Sequence, residues 1–396
     1  MKVAFLTSGG IAPCLSSSIA RMIYTYSKLN KDIKFVGYLN GYKGLLTGKK
    51  IFITEDVISD IEDLYNYGGT FLGNSRVKLT NVEDCINKGY IKKTEKPLEV
   101  AANQLLKDKI DILHTIGGDD TNTTAADLVD YLQNKGYELT VVGLPKTIDN
   151  DIVPIAQSLG AYTAAEQSAI FFRNIVNENT TSSRQLIIHE VMGRNCGWLT
   201  AYSAHIYREK FLNKMKFLGK IGIIPQKWDI HAVYIPEENF NLESESLRLK
   251  RNMDKYDCVN IFLSEGAGIN NIIKDKENKG QKIKLDAFGH VRLDEINPGK
   301  WYAAYFKNKL NCDKVLVQKS GYFSRSAAPN KEDLKLIFSH ADFAVNLAIE
   351  KQSGVVGILD KDDKLTCISF SDIKGHKPFD FNIEWYQKLK KDINQT

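Results

Sequence analysis

The chain holds 396 residues, 43% hydrophobic and 26% charged, with a formal net charge of +5. That length can bury large cores and favours two domains over one. The charge is small and spread along the chain, so it gives no basic footprint of a nucleic-acid binder; the pairs Lys49-Lys50, Lys92-Lys93 and Lys390-Lys391 read as solvated faces. The six cysteines (Cys14, Cys85, Cys196, Cys258, Cys312, Cys367) are scattered without a C-x-x-C pair. That argues against a zinc site or a disulfide framework and fits a reducing cytoplasm. Met1-Lys2 leads straight into an apolar run, so no signal peptide is expected. No apolar run approaches membrane-spanning length.

The first predicted strand, residues 2–6, ends in Thr7-Ser8-Gly9-Gly10, and an apolar helical pattern follows over 15–29. Strand, Gly-Gly turn, helix is the layout of a phosphate-binding first turn. It is neither G-x-G-x-x-G nor a P-loop, and a plain tight turn fits the same glycines. A second strand over 35–39 leads into Gly41-Tyr42-Lys43-Gly44-Leu45, read as a turn. Gly68-Gly69-Thr70-Phe71-Leu72-Gly73-Asn74-Ser75-Arg76 is a glycine-rich loop ending in a cation. Its amides and Arg76 would suit a phosphate oxygen; a surface loop with a solvated arginine fits equally.

After a helix predicted over 100–109 come two motifs, each at the carboxyl end of a β-type apolar run. The first is Ile116-Gly117-Gly118-Asp119-Asp120-Thr121, the second Gly143-Leu144-Pro145-Lys146-Thr147-Ile148-Asp149-Asn150-Asp151, with a helix predicted between them over 123–135. Ligands bind at that end of an open α/β sheet. Four acids on two neighbouring strand-end loops, one opening with Gly-Gly, exceed what turn chemistry needs. They point to a divalent metal bridging to a phosphate, with one acid on the metal and another as general base. Lys146 is either a local ion-pair partner of Asp149 or a cation on a leaving phosphate.

Further on, helices are predicted over 161–177, 199–208, 242–256, 298–310 and 332–352, and strands over 185–191, 233–236, 259–263, 315–318 and 355–359. Three of these strands run into loops rich in glycine and charge: Met192-Gly193-Arg194, Ser264-Glu265-Gly266 and Gly321-Tyr322-Phe323-Ser324-Arg325. Residues 274–284 read as a polar surface excursion. His114 lies in an apolar run and reads as a core residue; no histidine pair shows metal spacing. Alternating strands and helices are the signature of parallel α/β sheets, here as two domains sharing a cleft.

Taken together and in order, these motifs resemble the phosphofructokinases, in particular their pyrophosphate-dependent members. The resemblance runs from Thr7 to Arg325. It implies two Rossmann-like three-layer domains with mostly parallel sheets and the active site in the cleft between them. Residues 1–160 with roughly 321–375 would handle the phosphoryl donor and Mg²⁺, 161–320 the sugar phosphate, and 376–396 would form a C-terminal tail. The implied reaction is reversible transfer from pyrophosphate to the C1 hydroxyl of fructose 6-phosphate. ATP-using members read Gly-Gly-Asp-Gly and Pro-Gly-Thr-Ile-Asp where this chain has Asp120 and Lys146. A carboxylate at Asp120 would repel a nucleotide α-phosphate, and Lys146 would stabilise the departing phosphate of pyrophosphate.

By the same resemblance, Asp149 is the base and Asp119 the Mg²⁺ carboxylate, while Gly10, Arg76 and Lys146 hold pyrophosphate. Thr147, Ile148, Met192, Gly193 and Glu265 contact the sugar substrate, and Arg76 and Arg194 sit where charge develops on the transferring phosphoryl group or on the sugar phosphates. Tyr322 and Arg325 hold its 6-phosphate, with Phe323 and Ser324 in the same substrate-binding stretch, and Arg184 reaches that phosphate from a neighbouring subunit of a homodimer or homotetramer. The implied setting is cytoplasmic glycolysis. The rival readings are an ATP-dependent phosphofructokinase and a non-catalytic sugar-phosphate-binding subunit; sedoheptulose 7-phosphate is a further acceptor to test.

Overall fold

Runs of β-branched and aliphatic residues that are buried on both faces make parallel strands, and this chain has them in two sets. The computed structural model describes residues 1–280, 296–360 and 362–395. Among these, the strands in chain order are β1 (Lys2–Thr7), β2 (Lys34–Tyr38), β3 (Lys50–Ile53), β4 (Ile112–Gly117), β5 (Thr140–Pro145) and β6 (Gln185–Val191). They continue with β7 (Ala232–Tyr234), β8 (Cys258–Ser264), β9 (Lys314–Lys319), β10 (Gly354–Ile358) and β11 (Leu365–Ile368). The chain divides into two compact units, Met1–Ala164 with Arg325–Lys377, and Ala165–Ser324 with Pro378–Thr396.

The first unit carries a seven-stranded sheet in the order β11-β10-β5-β4-β1-β2-β3. Its five inner strands are parallel, and the two outer strands, β3 and β11, are antiparallel to their neighbours. Helix Leu15–Leu29 presents Ile19, Met22, Ile23 and Tyr26 to the sheet at helical spacing. On the other face, Leu105, Leu128 and Leu132 from helices Pro97–Asp108 and Asp119–Gln133 close over Leu6, Tyr38 and Leu113. His114 is buried within this sheet; its Nε2 meets the Tyr26 hydroxyl at 2.8 Å, and burial pushes its pKa down to about 4.

Two local expectations fail here for identifiable reasons. The stretch read as a turn at 41–45 is the start of a short helix, Tyr42–Thr47, anchored by the Tyr42 hydroxyl donating to Thr121 O at 2.7 Å. Strands β3 and β11 were not predicted, because four-residue outer strands show no clean alternation; Phe52 of β3 is 63% exposed.

The second unit carries a parallel sheet in the order β7-β8-β6-β9. Leu186, Ile188, Ile261 and Leu263 pack beneath Leu249, Met253, Tyr302 and Phe306 of helices Leu242–Tyr256 and Pro298–Leu310. The stretch expected as a C-terminal tail from residue 376 belongs to this unit from Pro378 onward. It forms helix Glu384–Asp392, buries Tyr386 and Leu389, and bonds Glu238 through the Tyr386 hydroxyl at 2.7 Å and Lys390 at 2.5 Å. The Gln395 amide donates to Val233 O at 2.9 Å and accepts from Val233 N–H at 2.8 Å. Of the expected polar excursion over 274–284, residues up to 278 lie in helix Ile269–Asn278, and residues 281–284 fall outside the described ones. No described helix is long and apolar enough to cross a membrane.

Candidate active site

In the first unit the loops after β1, β4 and β5 lie side by side, because those three strands are adjacent and parallel. Ser8 N–H donates to Ile116 O at 3.1 Å, Gly9 N–H to Ser75 O at 3.0 Å and Lys146 N–H to Gly117 O at 2.9 Å, so four separate segments are tied together. Lys146, at the end of β5, is only 4% exposed, and its Nζ donates to Gly10 O at 2.8 Å. Burial pushes its pKa down to about 8; Cys14 and Asp149 favour the charged form, whereas Arg325 and Arg76 oppose it. A buried cation with two further cations near it is suited to binding an anion.

Arg325 reaches this turn as well. Its Nε donates to Ile11 O at 2.8 Å, and a Cβ on Gly10 would stand 1.9 Å from its Nη2. The structure thus places Arg325 in the first unit beside Gly10, where the resemblance implied a grip on the sugar 6-phosphate. Gly10→Ala should push the guanidinium aside and weaken pyrophosphate binding roughly ten-fold, about the strength of one charge-assisted hydrogen bond. Calorimetric titration of pyrophosphate checks this, and an unchanged affinity would remove Arg325 from donor binding.

The acids stand on different elements than their spacing suggested. The helix predicted from residue 123 begins at Asp119, with Gly118 at its cap position, so Asp119 and Asp120 form its first turn. Carboxylates there complement the helix dipole. Asp119 is half-buried against Gly375, where a Cβ would stand 2.2 Å from its Oδ2. Asp120 is exposed and pairs with Lys78 at 2.6 Å. After β5, Thr147 Oγ1 donates to Asp151 Oδ1 at 3.0 Å and accepts from Asp149 N–H at 3.1 Å. Ile148 is buried, and Asn150, at φ +55°, accepts from Ser158 N–H at 2.8 Å. Burial raises the pKa of Asp151, the Asp119 charge raises it further, and His376 opposes both.

Among the described residues no three His, Cys, Asp or Glu side chains form a metal cage. Asp119, with Asp151 within electrostatic reach, is instead a one- or two-carboxylate set. Such a set fits Mg²⁺, which keeps several waters and takes its remaining oxygens from substrate phosphates.

In the second unit, the loops after β6 and β8 interlock. Glu265 N–H donates to Val191 O at 3.0 Å, and Ser264 Oγ donates to Gly193 O. Gly266 abuts the Arg194 carbonyl, where a Cβ would come within 1.8 Å, so only glycine lets the two loops meet. Burial raises the Glu265 pKa, and Glu190 adds to this; the Gly193 N–H, Arg194 and Lys319 oppose it. Glu190 is held by Lys319 at 2.6 Å and Gly299 N–H at 2.9 Å. Gly321 packs on Met192, whose Cε would lie 2.6 Å from a Cβ. Tyr322 is exposed, Phe323 rests against Phe171 and Ser324 is buried on Ser168 at 2.8 Å.

The expected residues therefore form two groups. Gly10, Arg76, Asp119, Asp120, Lys146, Thr147, Ile148, Asp149 and Arg325 belong to the first unit; Met192, Gly193, Arg194, Glu265, Tyr322, Phe323 and Ser324 belong to the second. Arg184 also lies in the second unit, but just before β6, about 26 Å of extended chain away from Met192. Its guanidinium donates to Asn311 O at 2.7 Å, Leu310 O at 2.6 Å and Asp254 at 3.0 Å, closing the end of helix Pro298–Leu310. Lys78, not singled out in the sequence, stands between the buried Val77 and Leu79 and pairs with Asp120.

The sequence matches the phosphofructokinase family over residues 2–347. It is 51% identical to the pyrophosphate–fructose 6-phosphate 1-phosphotransferase of Methylomonas methanica, across 100% of this chain and 96% of that protein. It is 50% identical to the enzyme of the same name from Mastigamoeba balamuthi, across 99% of this chain and 96% of that one. Among solved structures, the pyrophosphate-dependent phosphofructokinase of Marinobacter aquaeolei superposes with a TM-score of 0.73, covering 99% of this chain and 90% of that one, and at 20% identity this likeness concerns the fold. Because the family match spans most of its length and relatives share about half of its residues end to end, the chain belongs to the phosphofructokinase family.

Proposed function

We propose that the protein transfers a phosphoryl group reversibly from pyrophosphate to the C1 hydroxyl of fructose 6-phosphate, giving fructose 1,6-bisphosphate and phosphate. The observation that carries this reading is Lys146, a buried lysine at the donor turn bonded to Gly10 O, together with a carboxylate, Asp120, in the first motif. The relatives that share about half of the sequence over its full length bear the name of this reaction.

In this reading Asp149 takes the proton of the C1 hydroxyl as that oxygen bonds the phosphorus and the bridging P–O bond of pyrophosphate breaks. Lys146, Arg76 and the Gly10 amide hold the departing phosphate. Arg325 joins them on the strength of its position over Gly10. Asp119, with Asp151 nearby, would hold Mg²⁺, which when bound offsets the charge of the phosphate oxygens. Phosphoryl transfer of this kind is mostly positioning and charge stabilisation, so these groups suffice. Sugar-phosphate binding falls to Arg194, Glu265 and the Tyr322–Ser324 stretch of the second unit. The working enzyme is a cytoplasmic homodimer or homotetramer, in which Arg184 would exchange its local partners for a neighbour's sugar phosphate.

Purified protein with Mg²⁺ and fructose 6-phosphate should turn over with pyrophosphate, and at least about 100-fold more slowly with ATP, since a repulsive and an attractive element both select the donor. Turnover with ATP alone overturns the reading. No turnover with either donor makes the chain a sugar-phosphate-binding subunit.

A further inference from the structure

Glu237 has no place in the mechanism above, yet its carboxylate grips one end of the Arg194 loop. Gly197 N–H donates to both of its oxygens, at 3.0 and 3.1 Å, and Phe379 N–H donates to Oε1 at 2.9 Å. The three residues come from distant stretches of the second unit. Gly197 precedes helix Trp198–Ile206, Glu237 follows β7, and Phe379 lies at the start of the C-terminal segment. The fit leaves no slack: a Cβ on Gly197 would stand 2.5 Å from Ile235 Cβ and 2.7 Å from Glu237 Oε2. Phe379 is anchored in turn, buried with its ring centre 5.5 Å from that of Trp385 and 5.4 Å from that of Tyr386. The adjacent acid, Glu238, bonds the C-terminal helix instead, through Tyr386 and Lys390.

The other end of the loop is fixed separately. Ser264 Oγ donates to Gly193 O, and Gly266 abuts the Arg194 carbonyl. Between these two holds Cys196 is buried, whereas Arg194 and Asn195 are exposed. A loop pinned at both ends presents its arginine from a backbone with little freedom, which lowers the ordering cost of binding an anion. The charge of Glu237 also suits its place, because a carboxylate at the start of helix Trp198–Ile206 complements the helix dipole. We propose that Glu237 is a positioning residue of the acceptor site. It acts through Gly197, holding the loop so that Arg194 meets the sugar phosphate in one orientation. The Phe379 N–H holds the carboxylate from the other side. The inference rests on the assignment of Arg194 to sugar-phosphate binding.

Glu237→Gln keeps the size of the side chain but removes its charge and turns an amide NH₂ toward one of the two donors. In the full chain it should raise the KM for fructose 6-phosphate, and the Kd from calorimetric titration, about five-fold, the size expected when charge-assisted bonds that act at one remove are weakened. The KM for pyrophosphate and kcat should each change less than about two-fold. Glu238→Gln separates positioning from plain docking of the C-terminal helix. It should lower Tm by about 2–4 °C while the KM for fructose 6-phosphate stays within about two-fold. Binding is titrated well below the lowest Tm of the set. If the glutamine variant does not fold, Gly197→Ala displaces the carboxylate from the loop side and carries the same expectation. An unchanged affinity for fructose 6-phosphate, an equal loss in the Glu237 and Glu238 variants, or an equal loss for pyrophosphate overturns the role of Glu237 while leaving the pyrophosphate reading intact. A wild type that binds no fructose 6-phosphate overturns both.

Discussion

Asp149→Asn should lower kcat by about 10³- to 10⁴-fold, roughly 4–5 kcal/mol of transition-state stabilisation, with fructose 6-phosphate binding little changed. The asparagine keeps the shape of the side chain but cannot accept the C1 proton. The backbone around it is held by other groups: its own N–H donates to Thr147 Oγ1, and Ser158 N–H donates to the neighbouring Asn150 side chain. The variant should therefore fold and bind normally, which makes the loss of turnover interpretable. Single-turnover kinetics with calorimetric titration of fructose 6-phosphate separate chemistry from binding. Turnover within ten-fold of the wild type would falsify the assignment of Asp149 as the base.

Lys146→Met should cost about 10²- to 10³-fold in kcat with pyrophosphate, the size seen when one preorganised charge-stabilising group is lost. Here the direction of stability is the opposite of the direction of activity. Burial holds the folded-state pKa near 8, below the ordinary lysine value of 10.5, so between those values the unfolded chain binds more protons than the folded one. The charged lysine thus opposes folding at neutral pH, and this cost fades as pH rises through 8. Methionine fills similar space without a buried charge, so thermal unfolding should show an equal or higher Tm while activity falls. The pH profile gives the sharper readout. Lys146 is cationic below about 8 and neutral above it, so kcat/KM for pyrophosphate should decline as pH rises through 8 in the wild type. In Lys146→Met that decline should vanish; its persistence would assign it to another group.

The strands and helices that place the site were legible because their apolar faces repeat at helical or buried-strand spacing. Helices 15–29, 242–256 and 298–310 were read to the residue for that reason. What periodicity hides is polar secondary structure. The first turn of helix Asp119–Gln133 is Asp-Asp-Thr-Asn, with no apolar stripe to announce it, so two acids that look like loop residues are helical and share the dipole of one helix. The same blindness covers Arg325. Its motif associates it with Tyr322 and Ser324, but the division between the units falls immediately before it, and its side chain turns to Ile11 and Gly10 more than 300 residues away. Lys78 is a third case: an ion pair between two separate segments has no spacing to read, and only the burial of its two neighbours betrays which way it points.

The Gln395 contact has a consequence for how this protein meets other chains. β7 is the outermost strand of its sheet, and Val233 would otherwise present an open N–H and C=O pair. A carboxamide side chain carries the same donor and acceptor as a peptide group, so Gln395 stands in for one residue of a neighbouring strand. The guard of the edge is thus a side chain that follows helix Glu384–Asp392, remote in sequence from β7. Without that amide, β7 would expose a strand edge of the kind that recruits strands from other copies. Cover of this strand edge at Val233 thus comes from one side chain.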